Sequence, residues 1–228
     1  DRALGLAYQA RRKYQSIRGY TCIFIKRERI NGVLGPMEFV QMKIRTRPFS
    51  IYMKWLQPYT GREVIYVHGR YGNKLLAHDT GAKKIIAGTV ELDPRDRRLL
   101  KYSRHPITEA GIGNMISKLI RHWEQQRRAP DGNIVVLDNA RVDTNLCWCV
   151  KCIHPHPSGR NAYYRIRVFF DKKSSLPIRF EGYDWPLQRG DVNGLLVEEY
   201  TYRNLRTDVT LTSWDFSPRN PRYNFGRF

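Results

Sequence analysis

Three cysteines and two histidines crowd one short stretch, Cys147-Trp148-Cys149-Val150-Lys151-Cys152-Ile153-His154-Pro155-His156-Pro157. Thiolates and imidazoles are the ligands that zinc prefers, and imidazole is also the usual general base near neutral pH. Spacing then limits the chemistry. Residues 146–153 read as a strand, so Cys147 and Cys149 share one face while Cys152 points to the other. Zinc asks for thiolates that converge from a turn, and the competing reading is cysteines that are buried or disulfide-paired. The prolines hold His154 and His156 in extended backbone, which puts both on one side with Cys152 on the same parity. A metal or acid–base role stands there against a turn carrying two solvated histidines.

Other groups offer less. Glu198 and Glu199 are adjacent on a strand and point to opposite faces, so they do not form a working carboxylate pair. Asp184, between Tyr183 and Trp185-Pro186, has ion pairing as its default among so many basic side chains. His105, before Pro106, reads as closing a helix start. There is no Ser-His-Asp signature, no phosphate-binding glycine loop and no HExxH motif. The expectation is therefore a protein that is not an enzyme, with no catalytic residues, no metal and no cofactor.

The elements that position these groups are mostly strands. Tyr20 to Val67 reads as four antiparallel strands with one apolar and one basic face. The first ends at Asn31-Gly32, a strong signal for a type I′ hairpin turn. Met37 to Thr46 sets Val40, Met42 and Ile44 against Gln41, Lys43 and Arg45. After Arg47-Pro48, Phe49, Ile51, Met53 and Trp55 alternate with Ser50, Tyr52, Lys54 and Leu56. Val64 and Tyr66 then alternate with Ile65 and Val67. Short strands follow at Lys74 to His78, Lys83 to Ala87 and Thr89 to Leu92. Later ones are expected at Ile134 to Leu137, Leu146 to Ile153, Ala162 to Asp171, Leu176 to Tyr183 and Leu195 to Leu205.

Two helices accompany about ten strands. Residues 2–18 carry an Ala3, Ala7, Ala10, Tyr14, Ile17 stripe, and Gly19 closes them. Residues 108–128 begin at Thr108 as N-cap, with Ile112, Met115, Ile116, Leu119, Ile120 and Trp123 on one face. Gly111 and Gly113 weaken the first turn, as a hinge or as a sign of close packing. The fold class is mainly β with two long helices (α+β). It is a large antiparallel sheet that curls without closing, an incomplete β-barrel. One domain is expected over 1–228, with helix 2–18, strands 20–92, helix 108–128, strands 134–205 and a tail, 206–228, lying over a sheet edge.

Forty Lys plus Arg against 21 Asp plus Glu leave the 228-residue chain at +19. That field favours anionic partners such as nucleic acid, lipid headgroups or acidic glycans. Arginines interleaved with aromatics, as in Tyr163-Tyr164-Arg165-Ile166-Arg167 and Tyr200-Thr201-Tyr202-Arg203, could stack on a single strand or simply dress an exposed sheet face. No stretch approaches the ~20 apolar residues of a transmembrane helix. The chain begins at Asp1 without methionine, consistent with a removed export signal.

The order of elements, with Arg47-Pro48 and Tyr52-Met53-Lys54-Trp55-Leu56-Gln57-Pro58, resembles the periplasmic lipoprotein carriers LolA and LolB. The close from Tyr202-Arg203-Asn204-Leu205 through Trp214-Asp215-Phe216 to Pro221 looks like the carriers' ending. More specific blocks resemble an uncharacterised planctomycete-type family, domain of unknown function 1571. They are Tyr52 to Pro58 with Gly61 to Val67, Arg104 to Gly113, His154-Pro155-His156-Pro157, Tyr183-Asp184-Trp185-Pro186 and Glu198 to Tyr202. That resemblance covers most of residues 20–225 and brings no activity with it.

The carrier resemblance implies a LolA-like sheet with a helical lid over an interior suited to acyl chains. It maps Val40, Met42, Ile44, Phe49, Ile51, Met53 and Trp55 onto the wall and Ile112, Met115, Ile116 and Leu119 onto the lid. The function so implied is a non-enzymatic, periplasmic or otherwise exported protein that shelters a lipid or lipoprotein acyl chain. Its partners would be a lipid or acylated protein and an anionic membrane surface rather than nucleic acid. The alternatives are a polyanion or nucleic-acid module using the basic surface, and a purely structural cell-envelope domain with a filled interior.

Overall fold

The computed structural model describes residues 2–79, 88–157, 162–188 and 191–226. The strand expected at Lys83 to Ala87 lies outside them. Two compact units share the chain. One comprises Asp1–Ser16, Asn31–Leu34 and Gly111–Thr201; the other comprises Ile17–Ile30, Gly35–Ala110 and Tyr202–Phe228.

The protein is mainly β, with three helices of which two are long. In chain order the elements are α1 (Arg2–Gln15), β1 (Gly19–Ile30), β2 (Val33–Leu34), β3 (Glu38–Arg45), β4 (Ser50–Gln57), β5 (Glu63–Val67), β6 (Leu75–Asp79) and β7 (Gly88–Leu92). They continue with α2 (Arg97–Leu100), α3 (Ile112–Arg128), β8 (Asn133–Val142), β9 (Asn145–Ile153), β10 (Arg165–Asp171), β11 (Pro177–Asp184) and β12 (Leu195–Arg206). The twelve strands follow the order β7-β6-β5-β4-β3-β1-β12-β11-β10-β9-β8, with β2 beside β1. That order has two ends and does not return on itself, as the incomplete-barrel reading requires. The turn after β1 forms as expected, with Asn31 and Gly32 both at positive φ.

In the unit containing β3 to β7, both sheet faces are buried over most of β4 to β6. Ile51 and Met53 are buried on one side of β4, and Ser50 and Tyr52 on the other. The expected basic outer face is corrected over β4 to β6, whereas on β3 it holds, with Gln41 exposed and Lys43 and Arg45 half-buried opposite Val40, Met42 and Ile44. Over β4 to β6 it is the dock for the C-terminal tail, which lies across a face rather than an edge. Phe216 and Phe225 pack with Tyr52, Ile65, Val67 and Leu76, and Tyr223 stacks on Tyr52 at 3.9 Å between ring centroids. Lys43 Nζ donates to Asp215 Oδ1 at 2.9 Å and to the Tyr223 hydroxyl at 3.1 Å. Glu63, fully buried, pairs with Lys54 at 3.2 Å and accepts from the backbone and side-chain nitrogens of Asn224, each at 3.1 Å. Phe49 precedes β4 and is only half-buried.

In the other unit α1 and α3 pack together. The hydroxyl-bearing ring of Tyr14 sits so close to Gly113 that a Cβ there would lie 2.4 Å from it. Close packing, rather than a hinge, explains that glycine. α3 begins three residues later than the Thr108 cap predicts. Ile107–Glu109 form a separate 3-10 turn, and Gly111, at φ +98°, breaks the helix before Ile112. Trp123 of α3 then meets Phe170 of β10, with ring centroids 6.1 Å apart. α1 ends at Gln15, and Gly19 starts β1 rather than closing the helix.

The tail latch has a defined pH signature. Burial works to raise the Asp215 carboxyl, but Lys43 and the Thr212 N–H outweigh it and hold it below its ordinary value of 3.8. Its contribution is complete above pH 3.8 and is lost as pH falls through the lower folded-state value. Asp215→Asn should cost on the order of 1–2 kcal/mol at neutral pH. In urea titrations the gap to wild type should close only in strong acid; a gap unchanged below pH 3 would contradict the latch.

Candidate functional site

Antiparallel registers align the apolar side chains of β1 and β3 to β7 into rows on one face. Cys22, Met42, Met53, Val64, Ala77 and Val90 stand opposite one another in sequence across six strands. Tyr20, Ile44, Ile51, Tyr66, Leu75 and Leu92 form the next row. Phe24, Val40 and Trp55 form a third. The structure thus brings six of the seven expected wall residues onto one face, with Phe49 beyond the strand end. Val40, Met42, Ile44 and Ile51 keep 0 % exposure, whereas Met53 and Trp55 keep 6 % and 9 %. A residue beside a void large enough for water retains accessible area, so nothing of that size adjoins the first four.

On α3, Ile112, Ile116 and Leu119 are buried and Met115 is half-buried. They form the expected stripe at helical spacing, continued by Ile120 and Trp123.

The alternation that yields the rows also yields a polar belt at one end of them. In β1 it runs from Phe24 to Lys26 and Glu28, and in β3 from Val40 back to Glu38. Lys26 stands opposite Glu38 and donates to Glu28 at 3.0 Å. Glu38 accepts from the Trp55 indole N–H at 2.6 Å. Arg62 donates twice to Asp79, at 3.0 and 3.2 Å, and lies over the rings of Tyr59 and Trp55. Burial favours neutral Lys26, but Glu28 and Glu38 more than offset it and raise the lysine above its usual value. Among the described residues, Glu28, Glu38 and Asp79 meet Lys26 and Arg62 here. Sequence reading stopped at the apolar residues; extending the same parity two positions would have found the belt.

The other candidates disperse. His156 is exposed while His154 is buried, so neither a histidine pair nor a turn with two solvated histidines forms. His105 lies 3.8 Å from Glu109 at the 3-10 turn. Asp184 accepts from the backbone N–H of Trp185 at 2.8 Å. Glu198 accepts from the hydroxyls of Tyr163 and Tyr200, and Glu199 takes Arg179 at 2.5 Å. Arg167 and Arg179 both pair with Glu181. The arginine-and-tyrosine surface of β10 to β12 thus binds its own carboxylates. All four cysteines are buried and free. Burial pushes the Cys147 thiol up to about 11 and the Cys152 thiol up to about 12, and it pushes His122 down to about 4.

The model of a family described as "Protein of unknown function (DUF1571)" matches residues 17–225. Among solved structures, the fold is similar to Mycobacterium tuberculosis lipoprotein LppX, with TM-score 0.53 and 11% identity over 92% of this chain and 98% of that one. It is also similar to an uncharacterized conserved protein of Thermus thermophilus, with TM-score 0.51 and 8% identity over 96% of each chain. A looser likeness, TM-score 0.38 and 10% identity over 94% and 97%, is to a LolA superfamily protein of Nitrosomonas europaea. Among proteins with curated descriptions, none matches this sequence.

Removing one buried charge from the belt tests its closure. Lys26→Met removes the buried ammonium between Glu28 and Glu38 and should cost about 3 kcal/mol. Combining it with Glu28→Gln should recover part of that loss in a urea double-mutant cycle. Strict additivity would show that the pair is not coupled.

Proposed function

We propose that this chain, which belongs to the DUF1571 family of proteins of unknown function, is a non-enzymatic exported carrier of an apolar chain. The whole of 1–228 acts as one LolA-like domain in this reading. The observation that carries it is the pair of unbroken apolar rows across six strands, bounded at one end by the ionic belt. A wall of that kind suits a methylene chain, since each CH₂ removed from water contributes about 0.8 kcal/mol without any directed polar contact. Val40, Met42, Ile44, Phe49, Ile51, Met53 and Trp55 are assigned as ligand-binding residues. Ile112, Met115, Ile116 and Leu119 of α3 are assigned the role of lid. Lipid or the acyl chain of a lipoprotein is the cargo, and the exposed positive charge brings the carrier to anionic membrane surfaces. Among the described residues no helix is long and apolar enough to cross a membrane.

The absence of accessible surface at Val40, Met42, Ile44 and Ile51 means that loading must displace whatever now packs on them. The same packing favours a second reading, a structural envelope domain whose interior is its own side chains.

Chain length separates the two. Native mass spectrometry of protein from cells should show a lipid-sized adduct that organic extraction removes. With fluorescent fatty-acid displacement as readout, shortening the competitor from about 16 to about 12 carbons should weaken it about two-hundredfold, at ~0.8 kcal/mol per CH₂. No adduct and no displacement would defeat the carrier and leave the structural domain. Displacement that ignores chain length but falls steeply with salt would point to the polyanion alternative.

A further inference from the structure

The cysteine–histidine stretch acquires a third member that sequence spacing does not reveal. Cys152, at the end of β9, and His154, two residues on, share a face, and the Cys152 Sγ to His154 Nε2 distance is 3.3 Å. His122 projects from α3 beside them, its ring edge-on to that of His154 with centroids 5.3 Å apart. One ligand atom from each of His122, Cys152 and His154 falls within 4.8 Å of the others. The Nε2 of His122 is buried and has no hydrogen-bond partner among the described residues.

The surroundings hold the set in register. His154 Nδ1 lies 3.2 Å from Asp131 Oδ1, so the carboxylate places the ring proton on Nδ1 and leaves the Nε2 lone pair facing Cys152. Asp131 is itself fixed by Gln126, whose side-chain amide donates to Oδ1 at 2.6 Å and whose carbonyl accepts from the Asp131 N–H at 3.3 Å. A carboxylate behind a histidine, with a second nitrogen aimed forward, is the arrangement that orients metal-binding imidazoles. Gly132 makes it possible. A Cβ there would lie 2.7 Å from His154 Nδ1 and 2.7 Å from the Ile153 carbonyl oxygen, so no other residue lets this turn close over the ring.

The spacing of Cys152, His154 and Asp131 also has the form of a nucleophile–base–carboxylate relay. Access rules that use out: Cys152 is 0 % and His154 1 % exposed, and a carbonyl substrate cannot approach the sulfur. An ion needs far less room. Tetrahedral zinc, with bonds of about 2.3 Å to sulfur and about 2.0 Å to nitrogen, sets its ligand atoms about 3.5 Å apart. The Cys152–His154 pair already meets that distance. The longest separation in the set must shorten by about an ångström, within reach of a turn of the half-buried His122 ring about its side-chain bonds.

We propose that His122, Cys152 and His154 bind one divalent cation of the zinc class, with Asp131 orienting His154. Two imidazoles and one thiolate select zinc or cobalt(II) over calcium or magnesium. Binding releases the thiol proton to solvent, leaving the sulfur as a thiolate ligand. Three protein ligands leave a fourth position for water. The ion joins the C-terminal half of α3 to the end of β9, which makes it a brace within this unit.

The test uses the full chain, stripped with chelator under reducing, anaerobic conditions and titrated with cobalt(II) alone. One equivalent should bind, giving the visible bands of tetrahedral cobalt and a thiolate-to-cobalt charge-transfer band. Cys152→Ser should abolish the charge-transfer band. His122→Gln, at a half-buried helical position that tolerates the change, should weaken binding at least tenfold with an unchanged circular dichroism spectrum. Asp131→Asn should weaken it about 10- to 100-fold. Zinc should raise the melting temperature of wild type by more than that of His122→Gln. Absence of binding overturns the proposal, as does binding with octahedral spectra. Binding that is indifferent to both His122→Gln and Cys152→Ser overturns it equally.

Discussion

Each strand from β4 to β6 has to satisfy two buried surfaces at once. Successive side chains point to opposite faces, so a strand buried on one side can use its other positions for charge and solvent. β4 has no such freedom over most of its length: Ile51 and Met53 are buried on one face, and Ser50 and Tyr52 on the other. The cations on the second face are therefore held by specific partners. Lys43 takes Asp215, Lys54 takes Glu63, and the aromatic rings of the tail cover what remains. A carboxylate as deeply buried as Glu63 would be costly alone, and two donors from Asn224 together with Lys54 make its burial tolerable. The tail is thus part of the sheet's energetic closure.

This constraint explains which parts of the fold were legible. Alternation read from Val40 to Ile44 and from Ile51 to Trp55 is a local property, and the registers reproduce it: Met42 faces Met53 and Ile44 faces Ile51. The second buried face was not legible, because Lys43, Tyr52 and Glu63 find their partners more than 160 residues away at Asp215, Tyr223 and Asn224. Lysine in a strand reads as solvated until its carboxylate is located. The belt was hidden differently. Lys26, Glu28 and Glu38 obey the same parity as Phe24 and Val40, but charge at those positions looked like the end of the apolar face.

Boundaries followed backbone geometry more than side-chain capping. Thr108 has the chemistry of an N-cap, yet Gly111 at φ +98° interrupts the chain and only the glycine-capped segment continues as helix. In the cysteine–histidine stretch, strand parity correctly joined Cys152 to His154. It failed for His156 because the ladder stops: the His154 N–H makes a bond of 2.7 Å to the Tyr164 carbonyl, after which Pro155 has no donor and the chain turns outward. The place vacated by His156 is filled from a helix thirty residues earlier, which no short-range spacing could signal.

The net charge of +19 and the apolar wall belong to different parts of the physics. Lys26 is matched by Glu28 and Glu38, Arg62 by Asp79, and Arg179 by Glu181 and Glu199, while buried Arg165 lies over the Tyr183 ring. Positive charge on exposed side chains has a range of a Debye length, about 8 Å at physiological salt. It acts on approach to an anionic surface and is screened by salt. Contact with the rows around Met42 and Ile51 depends instead on apolar area, which salt hardly screens. Under the carrier proposal, docking and holding would be separate, because a charge-driven approach to a membrane would not choose the chain that enters the wall.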